Sequence, residues 1–345
     1  MNSNRASQAS PLVHFIRRHP RAAGFIFLGF LFGLFLGGVE TLFYFLPKGT
    51  RSRVERINEE TRGIYRSIHR VNGKTIFDVV RHFDKKGNRI VPGMEDGKGN
   101  PVLIVEGCSF TLGWGVEDGQ TLPAAAGRHL PGWLVINEGF GGWGPSNILH
   151  KVRAQDYAGE LGGRQVYMVY VFIPAHVQRA VGTFRYVTSP WTEEFPYFCL
   201  DSEGNFVEYP TYEAAHPWRS RVYGALSHET VLKYFNVDFP PAFSASHYDY
   251  TARMIGAIRD EFGKSFDPGD FSVILYPDLN PAKEARRIVD GLTKRGIRVL
   301  DYTDVLPKKD AEYFFVEDFH PTPKTHEIVG ERLAGDLLAI ESARH

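Results

Sequence analysis

The sequence predicts an α/β protein: a three-layer α/β/α sandwich around a mostly parallel sheet, preceded by one N-terminal transmembrane helix. Two observations predict this architecture. From residue 101 onward, short continuously apolar runs alternate with segments of helical periodicity, which is typical of strands buried on both faces by helices. Nearer the N-terminus, an uncharged run is long enough to cross a bilayer.

Composition excludes several classes of protein. The 345 residues are 43% hydrophobic, which is enough for a sizeable core. The 40 basic and 40 acidic residues give a formal net charge of zero, so we expect no nucleic-acid partner. The two cysteines, Cys108 and Cys199, exclude a disulfide framework. No Cys/His group has metal-ligand spacing, so neither a metal nor another cofactor is expected.

The N-terminal region predicts a membrane anchor. Residues 22–39 carry no charge, and about 20 such residues, each rising about 1.5 Å, span the hydrocarbon core. Glu40 interrupts the run, but apolar residues continue to Leu46. We expect a basic tail over 1–21 and a transmembrane helix over 22–46, so that the membrane is a partner; a cleaved signal peptide is the alternative.

Charge orients this span only weakly, because arginines and lysines flank both of its ends. A short basic head before a single span is typical of a signal anchor. That layout predicts a cytoplasmic N-terminus and an extracytoplasmic domain, on the periplasmic side of a bacterial inner membrane.

Residues 47–74 are predicted to be a stalk that leads to a globular domain over 75–345. Short strands are expected over 75–80 and 83–90. The stalk is predicted to be helical because apolar residues recur among its charges, at Val54, Ile57, Ile64 and Ile68.

The globular domain alternates between two kinds of segment. Five apolar runs are predicted strands: 102–105, 133–136, 166–173, 271–276 and 297–300. Four segments between them are predicted helices: 122–129, 147–161, 248–262 and 282–295. Residues 183–241 break this alternation with prolines and aromatics, which predicts an ordered insertion whose rings either stack on sugars or pack as a cap.

A serine follows the first predicted strand directly. The segment Glu106-Gly107-Cys108-Ser109 places Ser109 at the tight exit of a parallel strand, before a helix. At this position the hydroxyl faces the active end of the sheet and a backbone N–H is available to an oxyanion. Ser109 is therefore the candidate nucleophile, and an ordinary turn serine is the alternative.

A glycine-rich turn, Gly139-Phe140-Gly141-Gly142, follows the second strand. Glycines let backbone amides approach a ligand closely, as an oxyanion hole requires. A phosphate-binding loop is the competing interpretation, but no Gly-Lys-Ser/Thr follows.

A candidate base stands near the C-terminus, in Glu317-Asp318-Phe319-His320-Pro321. The imidazole of His320 can accept the serine proton when a carboxylate fixes its tautomer. Both Asp318 and Glu317 are close enough in sequence; Asp318 is favoured because a short side chain near a turn is more easily fixed.

Together these three segments resemble the SGNH/GDSL hydrolases, a family with a flavodoxin-like α/β/α fold, over roughly residues 75–340. Residues 107–111 are similar to the family's Gly-Asp-Ser block, 137–145 to its second block and 318–321 to its acid–histidine block. The resemblance implies a Ser109–His320–Asp318 triad and an oxyanion contact from Gly142.

The sequence departs from the family pattern in two places. Cys108 stands where the family has aspartate; that residue is not the nucleophile, so activity is expected to survive, and Cys108 as nucleophile is the alternative. After the third strand, Pro174-Ala175-His176 replaces Gly-x-Asn-Asp, so the oxyanion asparagine is missing. His176 is expected either to donate in its place or to cap the strand. Arg179 is expected either to hold a substrate carboxylate or sugar or to lie at the surface.

The resemblance implies a serine ester hydrolase that acts on an acylated small molecule or glycan. The predicted location suggests acyl groups, chiefly acetyl, on envelope or exported glycans. The alternatives are an O-acyltransferase with the same triad and a catalytically silent glycan-binding or assembly protein on the same fold. The sequence leaves the oligomeric state open.

Overall fold

The computed structural model describes residues 18–45, 54–61 and 63–344. The chain divides into two compact units, one comprising residues 1–51 and 222–237 and the other residues 52–221 and 238–345. Residues 1–17, most of the predicted basic tail, lie outside the described residues.

The described strands are β1 (Val54–Thr61), β2 (Ile64–Val71), β3 (Lys74–His82), β4 (Val102–Gly107), β5 (Leu134–Gly139), β6 (Val166–Phe172), β7 (Tyr197–Leu200), β8 (Phe206–Tyr209), β9 (Phe271–Leu275), β10 (Arg298–Asp301), β11 (Phe314–Phe315) and β12 (His320–Pro321). The described helices are α1 (Pro20–Phe45), α2 (Ser109–Leu112), α3 (Leu122–Arg128), α4 (Pro145–Ala154), α5 (Tyr157–Leu161), α6 (Ala175–Val181), α7 (Phe184–Val187), α8 (Tyr212–Ala215), α9 (Pro217–Leu226), α10 (Thr230–Tyr234), α11 (Ala245–Phe262), α12 (Ala282–Arg286), α13 (Val289–Thr293) and α14 (Pro323–Ser342).

In the first unit, α1 contacts α10. The carboxylate of Glu40 accepts hydrogen bonds from the backbone N–H groups of Thr230 and Val231, the latter at 3.1 Å. These amides begin α10, where a negative charge is stabilising. Over the part of the chain that the structure describes, no helix combines the length and apolarity needed to cross a membrane, so the transmembrane helix predicted for 22–46 is not confirmed.

The second unit is built around a five-stranded parallel sheet in the order β10-β9-β6-β4-β5. Each of the five predicted strands is present, within three residues of its predicted ends. Counted along the chain, these strands give the 2-1-3-4-5 order of doubly wound folds. The chain reverses its direction of winding between β4 and β6, and this reversal is where such sheets hold their ligands.

Helices cover both faces of this sheet, as predicted. Side chains alternate along β4, so Val102 and Ile104 contact the cluster formed with α4, α5, α11 and α13, whereas Leu103 and Val105 contact the cluster formed with α3 and α14. The predicted helix 147–161 is interrupted, because Asp156 caps α5 by accepting from the Gly159 N–H at 2.9 Å. The predicted helix 282–295 is likewise divided into α12 and α13.

Over the described residues of the predicted stalk, 54–61 and 63–74, the prediction of a helix is wrong, and residues 47–53 lie outside the described residues. Strands β1, β2 and β3 form an antiparallel sheet instead. Asn72 and Gly73 join β2 to β3 with φ of 52° and 79°, the conformation of a two-residue hairpin turn. The Asn-Gly pair is a strong hairpin signal, whereas the few apolar residues before it were compatible with either period.

The predicted insertion at 183–241 is divided between the two units. Residues 183–221 belong to the second unit, with α7, α8 and the hairpin β7–β8, and residues 222–237 belong to the first unit. Some of its aromatics are core residues and others are exposed: Phe198 is buried, and Trp218 is 74% exposed.

Candidate active site

Ser109 lies where β4 ends and α2 begins. It is the first residue of α2, so its backbone N–H has no partner within the helix. Gly107 is the last residue of β4, and a β-carbon there would collide with the side chain of Thr111. The turn is therefore tight, as predicted, and it lies beside the reversal between β4 and β6.

Ser109, His320 and Asp318 form a continuous hydrogen-bonded chain. The Ser109 Oγ lies 2.8 Å from His320 Nε2. The other ring nitrogen, Nδ1, lies 2.9 Å from Asp318 Oδ2 and 3.0 Å from the Asp318 main-chain oxygen. Both groups facing Nδ1 are acceptors, so Nδ1 carries the proton and Nε2 accepts the serine hydroxyl.

A short hairpin positions the imidazole and its carboxylate. Strands β11 and β12 pair through Phe315 and His320, and the Asp318 N–H donates to Phe315 O at 2.9 Å. Phe319, between the acid and the histidine, has φ of 63° and is 66% exposed. A bulky residue in this left-handed conformation is uncommon and is held by its surroundings, here by the closed hairpin.

Of the two candidate acids, Asp318 is the one whose carboxylate contacts the His320 ring. Its side chain is 3% exposed, which leaves the buried carboxylate dependent on protein partners. Glu317 points elsewhere and lies 3.7 Å from Lys74, with its side chain 38% exposed. Cys108 is fully buried in the core cluster beneath α3 and α14, while the neighbouring Ser109 faces the imidazole.

The glycine-rich turn after β5 lies against α2. The N–H of Phe140 donates to Gly107 O at 3.1 Å and ties the two turns together. Gly139 contacts Leu112 so closely that a β-carbon would overlap the Leu112 backbone. Gly142 has φ of 79°, and the 53% exposed ring of Trp191 packs against it.

Arg179 supports this same turn. Its Nη1 donates to Trp143 O at 2.6 Å, and its aliphatic stem lies against Gly144. Arg179 is half-buried, so it is not the surface arginine that was one sequence alternative. Its observed contacts are with the protein, and they fix the end of the loop that carries Gly142.

His176 is enclosed in the protein and does not face a substrate. Its side chain is fully buried, with Nδ1 2.8 Å from the Tyr170 hydroxyl and its ring against Tyr170 and Phe172. Burial, reinforced by the charge of Arg179, holds the pKa of His176 well below its usual value, so the ring is neutral. This geometry does not support the prediction that His176 replaces the missing oxyanion asparagine.

Arg89 is a structural residue of the site that the sequence did not reveal. Its side chain is fully buried and donates to the main-chain oxygens of Leu112, Gly113 and Val116, and to Asp118. It therefore satisfies the carbonyls at the end of α2 and fixes the segment that follows Ser109. A lone arginine in a segment predicted to be a short strand gave no signal of this role.

The antiparallel sheet β1–β3 also reaches the site. Phe77 on β3 packs edge-on against Trp114, at 5.9 Å between ring centroids, and Trp114 lies 6.2 Å from the His320 ring. Buried His69 on β2 has its Nε2 3.7 Å from Asp318 Oδ1. The segment interpreted from sequence as a stalk thus contributes His69 to the surroundings of Asp318.

Two buried carboxyl groups lie at the ends of β4 and β5, beneath the two turns. Glu106 and Glu138 lie 3.3 Å and 2.7 Å from Lys151 Nζ, and the Tyr157 hydroxyl donates to Glu138 at 2.5 Å. Burial raises the pKa of Glu106 well above its usual value, against the opposing charge of Lys151. Burial would also raise the pKa of Glu138, but Lys151 and Tyr157 outweigh it and the pKa is lowered.

Chemically, this arrangement offers a hydroxyl facing one nitrogen of an imidazole, with a buried carboxyl group facing the other. Among the described residues, no group of three or more His, Cys, Asp and Glu side chains is arranged to hold a metal ion. The amides of Ser109 and Gly142 belong to two turns that a hydrogen bond joins.

Comparison with known proteins gives matches at the level of structure alone. No protein-family model and no curated protein matches this chain. Among solved structures, a member of the lipolytic G-D-S-L family from Veillonella parvula is 10% identical, with a TM-score of 0.36 over 66% of this chain and 93% of that one.

Two carbohydrate esterases are also similar. An acetyl xylan esterase from the rumen bacterium Butyrivibrio proteoclasticus is 13% identical, with a TM-score of 0.40 over 71% of this chain and 64% of that one. A catalytic mutant of an acetylxylan esterase from Geobacillus stearothermophilus is 10% identical, with a TM-score of 0.36 over 67% of this chain and 92% of that one.

Proposed function

We propose that this protein is a serine ester hydrolase in which Ser109 is the nucleophile, His320 the general base and Asp318 the residue that orients the imidazole. The observation that carries the proposal is the chain of contacts from Ser109 Oγ to His320 Nε2 at 2.8 Å and from His320 Nδ1 to Asp318 Oδ2 at 2.9 Å. Both lengths are within hydrogen-bond range and suit proton transfer without rearrangement.

In the proposed reaction, Ser109 Oγ attacks the ester carbonyl carbon while its proton passes to His320 Nε2. The resulting imidazolium is stabilised by Asp318 and returns the proton to the leaving alcohol as the carbon–oxygen bond breaks. A water molecule then attacks the acyl carbon on Ser109 and gives a proton to His320. His320 returns this proton to Ser109 Oγ as the bond between Oγ and the acyl carbon breaks, which releases the carboxylic acid and restores the free serine.

Charge that develops on the carbonyl oxygen needs hydrogen-bond donors. We assign this role to the backbone N–H groups of Ser109 and Gly142. His176 is not assigned to it, because its ring is fully buried against Tyr170. A family-type asparagine is missing, and one absent oxyanion donor costs about 3 kcal/mol in the transition state. We therefore expect a lower kcat than that of an enzyme with three oxyanion donors.

For the substrate we propose an acylated glycan, chiefly an acetylated one. The exposed ring of Trp191 supports this choice, because it packs on Gly142 beside the proposed oxyanion site, and flat aromatic rings stack on sugar faces. Trp191→Ala is expected to raise KM for an acetylated oligosaccharide while leaving KM for a small aromatic acetate within about twofold. An equal rise in KM for both substrates would contradict the proposal that Trp191 binds a sugar.

We propose an extracytoplasmic location, with residues 22–46 as the anchor, because the uncharged run follows a basic head. Alkaline phosphatase fused to the C-terminus is active only outside the cytoplasm and reports the side of the membrane. An active fusion that fractionates with membranes is expected; activity of a cytoplasmic reporter at the same position would contradict the orientation.

The enzyme assay uses the full-length chain and 4-nitrophenyl acetate. Wild-type turnover should fall at least about 10³-fold in Ser109→Ala. Ser272→Ala is the matched control, because Ser272 is a buried serine on β9 that the proposed reaction does not use. Equal turnover by wild type and Ser109→Ala would overturn the proposal and favour a silent binding protein. Acetylated sugar formed in the presence of an acceptor glycan would identify an acyltransferase.

A further inference from the structure

The carboxylate of Asp318 lies between two histidines. Its Oδ2 faces His320 Nδ1 at 2.9 Å, and its Oδ1 faces His69 Nε2 at 3.7 Å. The second distance exceeds hydrogen-bond length, and the contact is an ion pair only when His69 is protonated. The side chains of His69 and Asp318 are 1% and 3% exposed, so water screens this contact little.

His69 is held in place by a specific local structure. The register between β2 and β3 shifts between His69 and Arg70, which marks a bulge. Bulges re-aim side chains and are frequent beside active sites. The His69 ring stacks on Phe77, with 5.2 Å between centroids and 16° between planes, and Phe77 in turn packs on Phe315 of the hairpin that carries Asp318.

We propose that His69 is a positioning residue that fixes the rotation of the Asp318 carboxylate, so that Oδ2 stays directed at His320. This inference rests on the proposed function of the Ser109 site. A carboxylate that meets a partner on one oxygen alone can turn about its last bond, and misdirection of the acid leaves the imidazole in the wrong tautomer or orientation. In this proposal His69 carries a proton on Nε2, and that N–H, directed at Oδ1 across 3.7 Å, opposes the rotation from the other side.

The proposal gives the antiparallel sheet a role in the reaction. His69 comes from β2, whereas Ser109 comes from α2, and Asp318 and His320 come from the β11–β12 hairpin. In this proposal, His69 affects the reaction rate through Asp318 and does not itself contact the substrate.

Two variants at His69 separate positioning from packing. His69→Gln retains an N–H donor near the position of Nε2 but loses the ring stack; His69→Phe retains the stack on Phe77 but loses the donor. If His69 positions Asp318, the Phe variant should lose about tenfold or more in kcat with KM within about twofold, and the Gln variant should retain more of the activity. If His69 only packs, the order is reversed, and that order would overturn the proposal.

A second measurement does not depend on turnover. The proton shared between His320 Nδ1 and Asp318 gives a downfield ¹H resonance, and removal of the His69 donor should shift or broaden it. An unchanged resonance in folded His69→Phe, shown by an unchanged Tm, would overturn the positioning role whatever the activity. Failure of the proposed function has a different signature: full turnover in Ser109→Ala, with the downfield resonance still sensitive to His69.

Discussion

The ring of Trp191 lies directly against Gly142, in the space that a β-carbon on Gly142 would occupy. Gly142 also has φ of 79°, which glycine adopts without the strain that a side chain would add. Two independent constraints therefore demand glycine at the position to which the proposed mechanism assigns an oxyanion amide.

Gly142→Ala should consequently displace this amide. We expect kcat to fall about 10²- to 10³-fold, the usual effect of losing one oxyanion donor, with a smaller change in KM. Gly141→Ala is the matched control, because a β-carbon there would meet only Leu112, at 3.9 Å. Steady-state kinetics on 4-nitrophenyl acetate check both; equal kcat values for the two variants would show that the Gly142 amide does not act on the transition state.

The identity of the acid gives a second prediction. Asp318→Asn should lower kcat by about 10⁴-fold, because an amide can stabilise the wrong imidazole tautomer and cannot stabilise the imidazolium. Glu317→Gln should keep kcat within about twofold of wild type, since Glu317 is partly exposed and lies 3.7 Å from the exposed Lys74. A greater loss in the Glu317 variant than in the Asp318 variant would reverse the assignment.

The buried pair Glu106 and Glu138 predicts opposite pH effects on stability. The folded-state pKa of Glu106 is raised, so its contribution to folding is lost as pH rises from about 4.5 through the raised pKa. The folded-state pKa of Glu138 is lowered, so its contribution is present above about 4.5 and is lost as pH falls through the lowered pKa.

Glutamine substitutions test these signs. Glu106→Gln mimics the protonated carboxyl and should gain stability relative to wild type as pH rises toward 8. Glu138→Gln should lose about 3 kcal/mol near neutral pH, since Lys151 loses a charged partner, and lose less at pH 4. Urea unfolding from pH 4 to 8.5 measures both; changes of the same sign, independent of pH, would contradict the assigned pKa directions.

Strand positions in the main sheet were predictable because four of the five strands, β4, β5, β6 and β9, are buried almost throughout. Val102 to Val105 are fully buried, and such continuous apolar runs leave little alternative to a parallel strand. The same order of strands explains why Ser109 and the glycine-rich turn lie close together. They follow β4 and β5, which are parallel neighbours, so both lie at the carboxyl ends of these strands. His320 was proposed from its motif alone. It is 211 residues from Ser109, and the sequence gives no direct indication of how far apart the two side chains lie in the fold.

Other parts of the site depended on contacts that no local pattern records. His69 lies in a segment whose apolar spacing suggested a helix, and only the pairing of β2 with β3 brings it to Asp318. His176 has the expected position at the end of β6, but its ring turns into the core toward Tyr170. The direction in which a side chain leaves its backbone depends on tertiary packing, and a motif comparison does not contain it.

The central claim is that Ser109 is a nucleophile activated by His320, and a fluorophosphonate tests it without knowledge of the substrate. Intact-mass measurement of the full-length chain should show one added phosphonyl group, located on Ser109 by peptide mapping and absent from Ser109→Ala. Labelling of His320→Gln should be slower by about 10²-fold or more. Addition at another residue, or a labelling rate that does not depend on His320, would contradict the account.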